Sequence, residues 1–578
     1  MTDSLARAGL TPVSGETQHS WLKAYPPGID WAMPIAPRTM GAVFDEAAAR
    51  FAARPCLDFL GRRSTYAEVA ELVNRAARGF QALGVGPGVK VGLCLPNTPF
   101  YVVCFFAVLK AGGTVVNYNP LYVERELEHQ IEDSETDLMV TLDLKQVYPR
   151  VGLMLDRTRL KRIVVCKMAD ILPTVKGLLF RVLKRSELAD IPADDRHVPF
   201  ETLLANDGRP SPVRIDPVHD IAVLQYTGGT TGVPKGAMLT HANLSANLLQ
   251  VKSWFPGMKD GEERVLAALP FFHVFAMTVV LNLGIVAGAE LILLPRFEVK
   301  QVLRTIARRR ATLVPGVPTM YKALVTAPDV AKYTLTSIRY CISGGAPLPL
   351  ELKRQFETMT GCVLVEGYGL TEASPVCNSN PLTGVNKEGS IGLPLPGVVV
   401  QIRDMEDPSR VLPPGEKGEL VLKGPNVMAG YWRRPDETAR VIGPDGFLRT
   451  GDVGTIDEDG YVFLLDRLKD LIICGGYNVY PRVIEEAIYL HPDVVAACVI
   501  GLPDDYRGQT PKAFVQLKPG ASLTEGELRA FLADKISRIE MPKHIEFRAE
   551  LPKTAVGKLS KKELVAEEQG REQGRAQG

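Results

Sequence analysis

Short apolar runs alternate with longer stretches of helical spacing over the first half of the chain. Val89-Lys-Val-Gly-Leu-Cys-Leu95 reads as a strand, 98–111 as a helix and Gly113-Thr-Val-Val-Asn117 as a strand again. Leu138-Met-Val-Thr-Leu142 is a further strand, reached through a helix opening at Asn119-Pro120. Residues 38–85 carry helical periodicity, with Gly84 suited to a C-cap. This strand–helix–strand rhythm predicts a parallel sheet covered by helices, and it continues to about residue 400. From 410 to 465 the pattern shortens to strands with turns at Pro414-Gly415, Asp445-Gly446 and Asp459-Gly460, a small β subdomain. Past Arg467 the periods predict a helix at 481–490, strands at 494–500 and 512–517, and a helix at 524–537. The expected architecture is α/β. A large N-terminal domain of layered α/β sheets with a small β subdomain (1–467) precedes a small mobile α+β lid (468–565). The polar, repetitive 566–578 is expected to be a disordered tail.

Two apolar stretches need a decision. Val265–Ala289 has no charged residue, but Pro270 and Gly284 interrupt it and no cationic cluster flanks it. It reads as a strand, a loop at Pro270-Phe-Phe-His273 and a buried helix. Val175-Lys-Gly-Leu-Leu-Phe-Arg-Val-Leu-Lys-Arg185 is apolar and basic without an acid. As a helix it gathers Val175, Leu178, Leu179 and Val182 on one side. That side is expected to pack on its own domain, with contact to an anionic membrane as the alternative.

A chain of 578 residues exceeds what one core serves. With 67 basic and 66 acidic residues the net charge is +1, which gives nucleic acid no basic footprint. The nine cysteines include no CxxC pair and most sit in apolar runs, as expected of buried thiols in a reducing cytoplasm. The first twenty residues hold no apolar core of a secretory signal.

The chemistry centres on Tyr226-Thr-Gly-Gly-Thr-Thr-Gly-Val-Pro-Lys-Gly236, placed directly after the apolar run Ile221–Gln225. Gly228, Gly229 and Gly232 let backbone N–H groups turn toward an anion. Thr227, Thr230 and Thr231 add hydroxyls, and Lys235 adds a point charge. The Gly-Lys-Ser/Thr order of nucleotide kinases is absent. The string resembles the phosphate loop of the adenylate-forming superfamily, which includes the acyl-CoA synthetases. Val115–Tyr122 through Glu126–His129 looks specifically like bacterial long-chain fatty acid–CoA ligases.

Further matches follow in the family's order. Glu366-Gly-Tyr-Gly-Leu-Thr-Glu372 offers an aromatic face, a hydroxyl and a hard oxygen ligand. The resemblance implies that Tyr368 meets adenine, Thr371 the α-phosphate and Glu372 Mg²⁺, with Glu366, Gly367 and Gly369 as further nucleotide-binding positions. Gly344, Gly345 and Ala346 in Ser343–Pro347 resemble the loop beneath the adenine. Asp452 in Thr450-Gly-Asp452 resembles the ribose ligand, and Arg467 reaches ribose or phosphate oxygens. Lys469 stands at the family's hinge. Gly475 and Gly476 would line the passage for coenzyme A, and Lys558 would bridge the carboxylate and the α-phosphate. One departure is Val483, where relatives usually carry an acid; Glu485 is retained.

The resemblance implies two half-reactions: ATP and a carboxylate give acyl-AMP and pyrophosphate, and coenzyme A then displaces AMP. Phe271-Phe-His-Val-Phe-Ala-Met277 and Gly316–Lys322 would line the acyl pocket, with His273 near the carboxylate. The absence from Phe271–Met277 of the acid that amino-acid-activating relatives carry disfavours an amino acid; the apolar walls fit a fatty acyl chain, and the N-terminal resemblance implies medium to long chains. Aryl or dicarboxylic acids, or a non-catalytic lipid-sensing role, are the alternatives.

Overall fold

The computed structural model describes residues 19–227, 234–474, 477–504, 506–554 and 559–576. A seven-stranded sheet runs in the order His197–Pro199, Arg162–Cys166, Thr136–Leu142, Lys90–Cys94, Thr114–Asn117, Ile221–Thr227, Lys235–Thr240. Its neighbours are parallel except the last pair, which is antiparallel and brackets the phosphate-loop sequence. The helix Pro99–Lys110 explains why this sheet forms. Thr98 accepts from Tyr101 N, Pro99 fits the first turn, and every residue from Phe100 to Leu109 is buried. It packs against strands Lys90–Cys94 and Thr114–Asn117 on one side and helices Met40–Arg50 and Tyr66–Ala82 on the other.

A second layer holds two four-stranded sheets. Arg264–Ala267, Glu290–Leu293, Pro55–Phe59 and Arg62–Thr65 form one; Tyr340–Ser343, Val363–Gly369, Val376–Ser379 and Leu393–Pro394 form the other. Leu313 bridges both, pairing with Val265 and with Tyr340. The β subdomain is the antiparallel meander Val399–Arg403, Gly418–Lys423, Leu448–Ile456, Val462–Arg467. After Arg467 a mixed sheet forms from Ile472–Cys474, Tyr477–Val479, Val494–Asp504, Gly508–Leu517 and His544–Arg548, with its own apolar core. Helices Pro481–Tyr489 and Glu525–Leu532 pack on it.

Three expectations change. The 38–85 region is not continuous helix: the hairpin Pro55–Phe59/Arg62–Thr65 separates Met40–Arg50 from Tyr66–Ala82. The strand Pro55–Phe59 is added to the second layer's sheet, so tertiary pairing overrides local periodicity. The tail expected to be disordered belongs to a helix, Lys561–Ala576, whose Leu564 is fully buried and whose Glu568 pairs with Lys512 at 2.9 Å. In the helix Thr174–Leu183 the aliphatic side faces outward, and Gly177 is its one buried residue. Elsewhere the reading holds: Val265–Ala289 is a strand, a loop and a helix with a π turn at Met277–Asn282. No helix among the described residues is long and apolar enough to cross a membrane. All nine cysteines are buried and unbridged.

Candidate active site

The strand Ile221–Thr227 ends with Thr227 opposite Lys235 across the antiparallel pair. Behind this end runs a buried polar chain. Tyr101 Oη donates to Asn117 Oδ1 at 2.7 Å, Asn117 Nδ2 donates to Gln225 Oε1 at 2.8 Å, and Gln225 Nε2 donates to Phe272 O at 2.9 Å. The chain fixes the Phe271–His273 loop against the carboxyl ends of the parallel strands, where α/β sheets present their sites. His273 is half-buried and caps Val274–Ala276, its Nδ1 accepting from Phe275 N at 3.3 Å.

The loop after Tyr340–Ser343 lies beside this apolar wall. A Cβ on Gly344 would stand 3.2 Å from the Phe275 ring, so a side chain there would crowd the Ser343–Pro347 loop against the Phe271–Met277 segment. Gly344 N donates to Gly316 O at 3.2 Å, which brings the second expected wall, with buried Met320 and Tyr321, to the same place.

Glu366, Gly367, Tyr368 and Gly369 end the strand Val363–Gly369, and Thr371 and Glu372 begin the short helical turn Thr371–Ala373. Tyr368 Oη donates to Asp452 Oδ2 at 2.5 Å, and Arg467 Nε lies 3.2 Å from Asp452 Oδ1. Asp452 and Arg467 are paired across adjacent strands of the β subdomain. Burial and then the Asp452 charge hold the Tyr368 phenol well above its ordinary pKa, so it stays a donor. The Asp452 charge also raises the Arg467 guanidinium. On the other side, Tyr431 Oη donates to Glu372 Oε1 at 2.7 Å, and Lys235 is ion-paired with Glu437 with its ammonium 5.1 Å from the Tyr431 ring centre. Burial, then Glu366's partner Arg482 in opposition, sets the Glu366 carboxyl at about 7.

Gly228, Gly229, Thr230, Thr231, Gly232, Gly475, Gly476 and Lys558 lie outside the described residues. The others, Thr227, Lys235, His273, Gly344, Gly345, Ala346, Glu366–Gly369, Thr371, Glu372, Asp452 and Arg467, fall on the turns and strand ends just described. Tyr431, Glu437, Gln225 and Asn117 were missed. Their signal was faint: Gly430-Tyr-Trp432 resembles any turn with aromatics, and a polar residue inside a strand carries no pattern of its own.

The AMP-binding enzyme family matches residues 44–432, and its C-terminal domain matches 483–558. The chain belongs to the AMP-binding enzyme family. This AMP-binding enzyme is 43% identical over 556 residues to a long-chain-fatty-acid–CoA ligase of Bacillus subtilis, covering 96% of the chain and 99% of that protein. It is 37% identical over 562 residues to the ligase of the same name from Escherichia coli O6:H1, covering 95% and 98%. A feruloyl-CoA synthase of Amycolatopsis is 37% identical over 505 residues, covering 87% and 94%. Among solved structures, ATP-bound MatB from Rhodopseudomonas palustris superimposes with a TM-score of 0.79 at 30% identity, covering 91% of this chain and 98% of that one. The anthranilate–CoA ligase AuaEII with anthranoyl-AMP gives 0.79 at 26% identity, covering 93% and 98%.

Proposed function

We propose that this AMP-binding enzyme joins a medium- or long-chain fatty acid to coenzyme A through an acyl-AMP intermediate, releasing AMP and pyrophosphate. The observation that carries this reading is the convergence of Tyr368 and Arg467 on Asp452, with Glu372, held by Tyr431, on the turn that follows the Tyr368 strand and Lys235 5.1 Å from the same Tyr431 ring. The full-length similarity to fatty acid–CoA ligases supports the acid class.

A carboxylate resists a thiol because oxide is a poor leaving group. In the first half-reaction a carboxylate oxygen bonds to the α-phosphorus of ATP, and the bond to the bridging oxygen breaks as pyrophosphate leaves. Thr227 to Lys235 hold the β- and γ-phosphates, Tyr368 stacks on adenine, Asp452 accepts the ribose hydroxyls, Thr371 donates to the α-phosphate and Arg467 bridges ribose and phosphate. Lys558 brings an ammonium to the reacting oxygens, where charge gathers in the transition state. His273 lies along the carboxylate's approach. Mg²⁺, when bound, neutralises phosphate charge. The residues fit that ion: among the described residues no cluster of three or more His, Cys, Asp or Glu side chains forms a protein cage, and the single carboxylate Glu372 suits a metal held mainly by nucleotide phosphates and water. In the second half-reaction the lid turns about Lys469, Lys558 withdraws, and the thiol reaches the acyl carbonyl past Gly475 and Gly476. The new C–S bond forms as AMP leaves with its oxygen.

The similarity to feruloyl-CoA synthase supports an aryl acid as the second reading. A panel of C4–C18 acids, benzoate, ferulate and a dicarboxylate, followed by coenzyme A-dependent AMP release, tests both. Turnover is expected to peak between C8 and C18; a peak on ferulate or benzoate replaces the fatty acid, and no pyrophosphate from any acid removes the ligase reading. Lys558→Ala is expected to abolish acyl-AMP formation while supplied acyl-AMP is still converted to thioester. Equal loss of both steps would refute the alternating lid.

A further inference from the structure

The helix Thr174–Leu183 is built inside out for a surface helix. Val175, Leu178, Leu179, Val182 and Leu183 are 71%, 65%, 49%, 68% and 70% exposed. The first four fall at i, i+3, i+4 and i+7, one stripe of a helix. The opposite side seats it: a Cβ on Gly177 would lie 2.6 Å from Ala169 O, and Phe180 packs against the main core. The stripe therefore points straight away from the protein. Lys176 and Arg181 flank it on either side, and Lys184 and Arg185 follow at its end. No acidic residue lies between 174 and 186. Asp170 and Glu187, just outside, pair with Arg181 and Lys184.

We propose that this helix is a docking element for an anionic lipid surface, lying in the plane of the headgroups with its aliphatic stripe buried about 5–10 Å. The occupant follows from the side chains. The stripe is purely aliphatic, without the Trp and Tyr anchors that dominate protein interfaces. Its cationic borders are long side chains that keep their heads in the headgroup layer while their stems lie along the acyl boundary. A second copy of the same helix would set Lys176 and Arg185, which lie outside the Asp170–Arg181 and Glu187–Lys184 pairs, against their like, whereas anionic lipid neutralises them. The inference stands whether the acid is aliphatic or aromatic.

The test is flotation of the full chain with phosphatidylglycerol-containing vesicles and with pure phosphatidylcholine vesicles. The parent is expected to float with the anionic vesicles, more weakly as salt rises. Leu178→Glu with Val182→Glu is expected to reduce the bound fraction at least about tenfold, with thermal midpoint and turnover of a water-soluble acid unchanged. Arg181→Gln with Arg185→Gln is expected to remove the preference for anionic lipid. Flotation of the glutamate pair at the parent's level would overturn the proposal. So would a parent that ignores vesicles but sediments as a dimer, with the glutamate pair as monomer, which would make the stripe a contact between copies.

A second feature lies inside the site and rests on the ligase reading. Residues 428–432 run beside the strand Lys235–Thr240: Trp432 N donates to Gly236 O at 2.8 Å, and Met238 N donates to Gly430 O at 2.9 Å. The same segment grips the metal-side turn, Met428 N donating to Glu372 O at 2.8 Å. Tyr431 of this segment reaches the Glu372 carboxylate, and Glu437, on the helix Pro435–Val441 that follows it, pairs with the Lys235 ammonium. The geometry points to two positioning residues. Glu437 parks Lys235 until a polyphosphate displaces it, and Tyr431 fixes one Glu372 oxygen so that the other is presented to the metal.

Calorimetric titration of ATP into the enzyme, with Mg²⁺ and with EDTA, separates the roles. Tyr431→Phe is expected to weaken binding about fivefold with Mg²⁺, the worth of one hydrogen bond, and to leave binding in EDTA unchanged. Glu437→Gln is expected to tighten binding under both conditions by removing the competing carboxylate. Equal weakening with and without Mg²⁺ overturns the role of Tyr431, and weaker binding by Glu437→Gln overturns the parking of Lys235. If the parent itself binds no ATP, the ligase reading fails instead.

Discussion

Asp466 and Arg467 are neighbours at the end of one strand, and their side chains enter opposite networks because strand residues alternate faces. Arg467 turns to the site, where its guanidinium meets Asp452 and stays 54% exposed. Asp466 turns to the lid. Its Oδ2 accepts from Arg482 N at 2.7 Å, its Oδ1 accepts from Arg467 N at 2.8 Å, and Lys561 Nζ stands 3.9 Å away. Lys561 also lies 3.3 Å from Glu485 Oε1, which accepts from Val499 N at 2.8 Å. Burial raises the Asp466 and Glu485 carboxyls; burial alone would lower the Lys561 ammonium, but Glu485 and Asp466 outweigh it and hold it above an ordinary lysine. One network keeps an open side and partners that a nucleotide can replace. The other is closed on itself and joins the helices Pro481–Tyr489 and Lys561–Ala576 to the end of the strand Val462–Arg467. Electrostatics of similar strength serve exchange in the first and cohesion in the second.

Lys561→Met separates the two most strongly. It strands two buried carboxylates, and breaking such a cluster costs about 3–5 kcal/mol. The loss is expected in urea midpoints, while ATP affinity moves less than about threefold. A variant as stable as the parent would mean that the carboxylates are already protonated, and the closed network would not be ionic.

Asp452→Asn should give the reverse pattern. The carboxylate that the proposed function gives to the ribose and its bond from Tyr368 are altered, so ATP is expected to bind about tenfold to a hundredfold more weakly. Stability should change by about 1 kcal/mol or less, because Arg467 can turn to water. Calorimetry and thermal melts on one sample check both halves. A larger stability loss than binding loss would erase the distinction between the networks.

The legible part of this molecule is what local chemistry dictates. Thr98-Pro99 opens a helix whatever surrounds it, and glycines with threonines between two strands announce an anion loop. The hairpin at Pro55–Thr65 stayed hidden because its alternation is overwritten by long helical stretches on both sides. The Lys561–Ala576 helix was hidden because its glycines and glutamines score as tail, while Leu564, Glu568 and Lys561 hold it through contacts distant in sequence. In the candidate site, the residues singled out sit in dense motifs, and the side chains that pair with or stand behind them, Tyr431, Glu437 and Gln225, carry no motif of their own. A supporting residue needs only one hydrogen bond in the right place, and its neighbours in sequence owe nothing to that bond. Val483 shows the same limit. Loss of the usual acid there looks like a gap, yet Glu485 and Asp466 supply the carboxylates that Lys561 requires.

Glu366 sits where the two networks approach each other, and it offers the finest test of their separation. Its carboxyl accepts from Leu348 N at 3.3 Å and feels Arg482, yet burial dominates and its pKa stands at about 7. A folded-state value above the unfolded value, about 4.5, means that the native state prefers the proton. The stability this lends is complete below pH about 4.5 and disappears as pH rises through about 7. In Glu366→Gln the neutral form is permanent. The variant should therefore match the parent at pH 4.5 and exceed it at pH 8, by on the order of 2 kcal/mol once relaxation of the site is allowed for. Thermal or urea midpoints of both proteins across this range measure the difference, and groups common to both cancel. A difference that stays flat with pH would place Glu366 in solvent contact through the site cleft, and it would then belong with the exchangeable partners of Arg467. A difference that grows between pH 4.5 and 7 assigns it to the closed side of the strand, as a carboxyl that burial holds protonated against the opposing charge of Arg482.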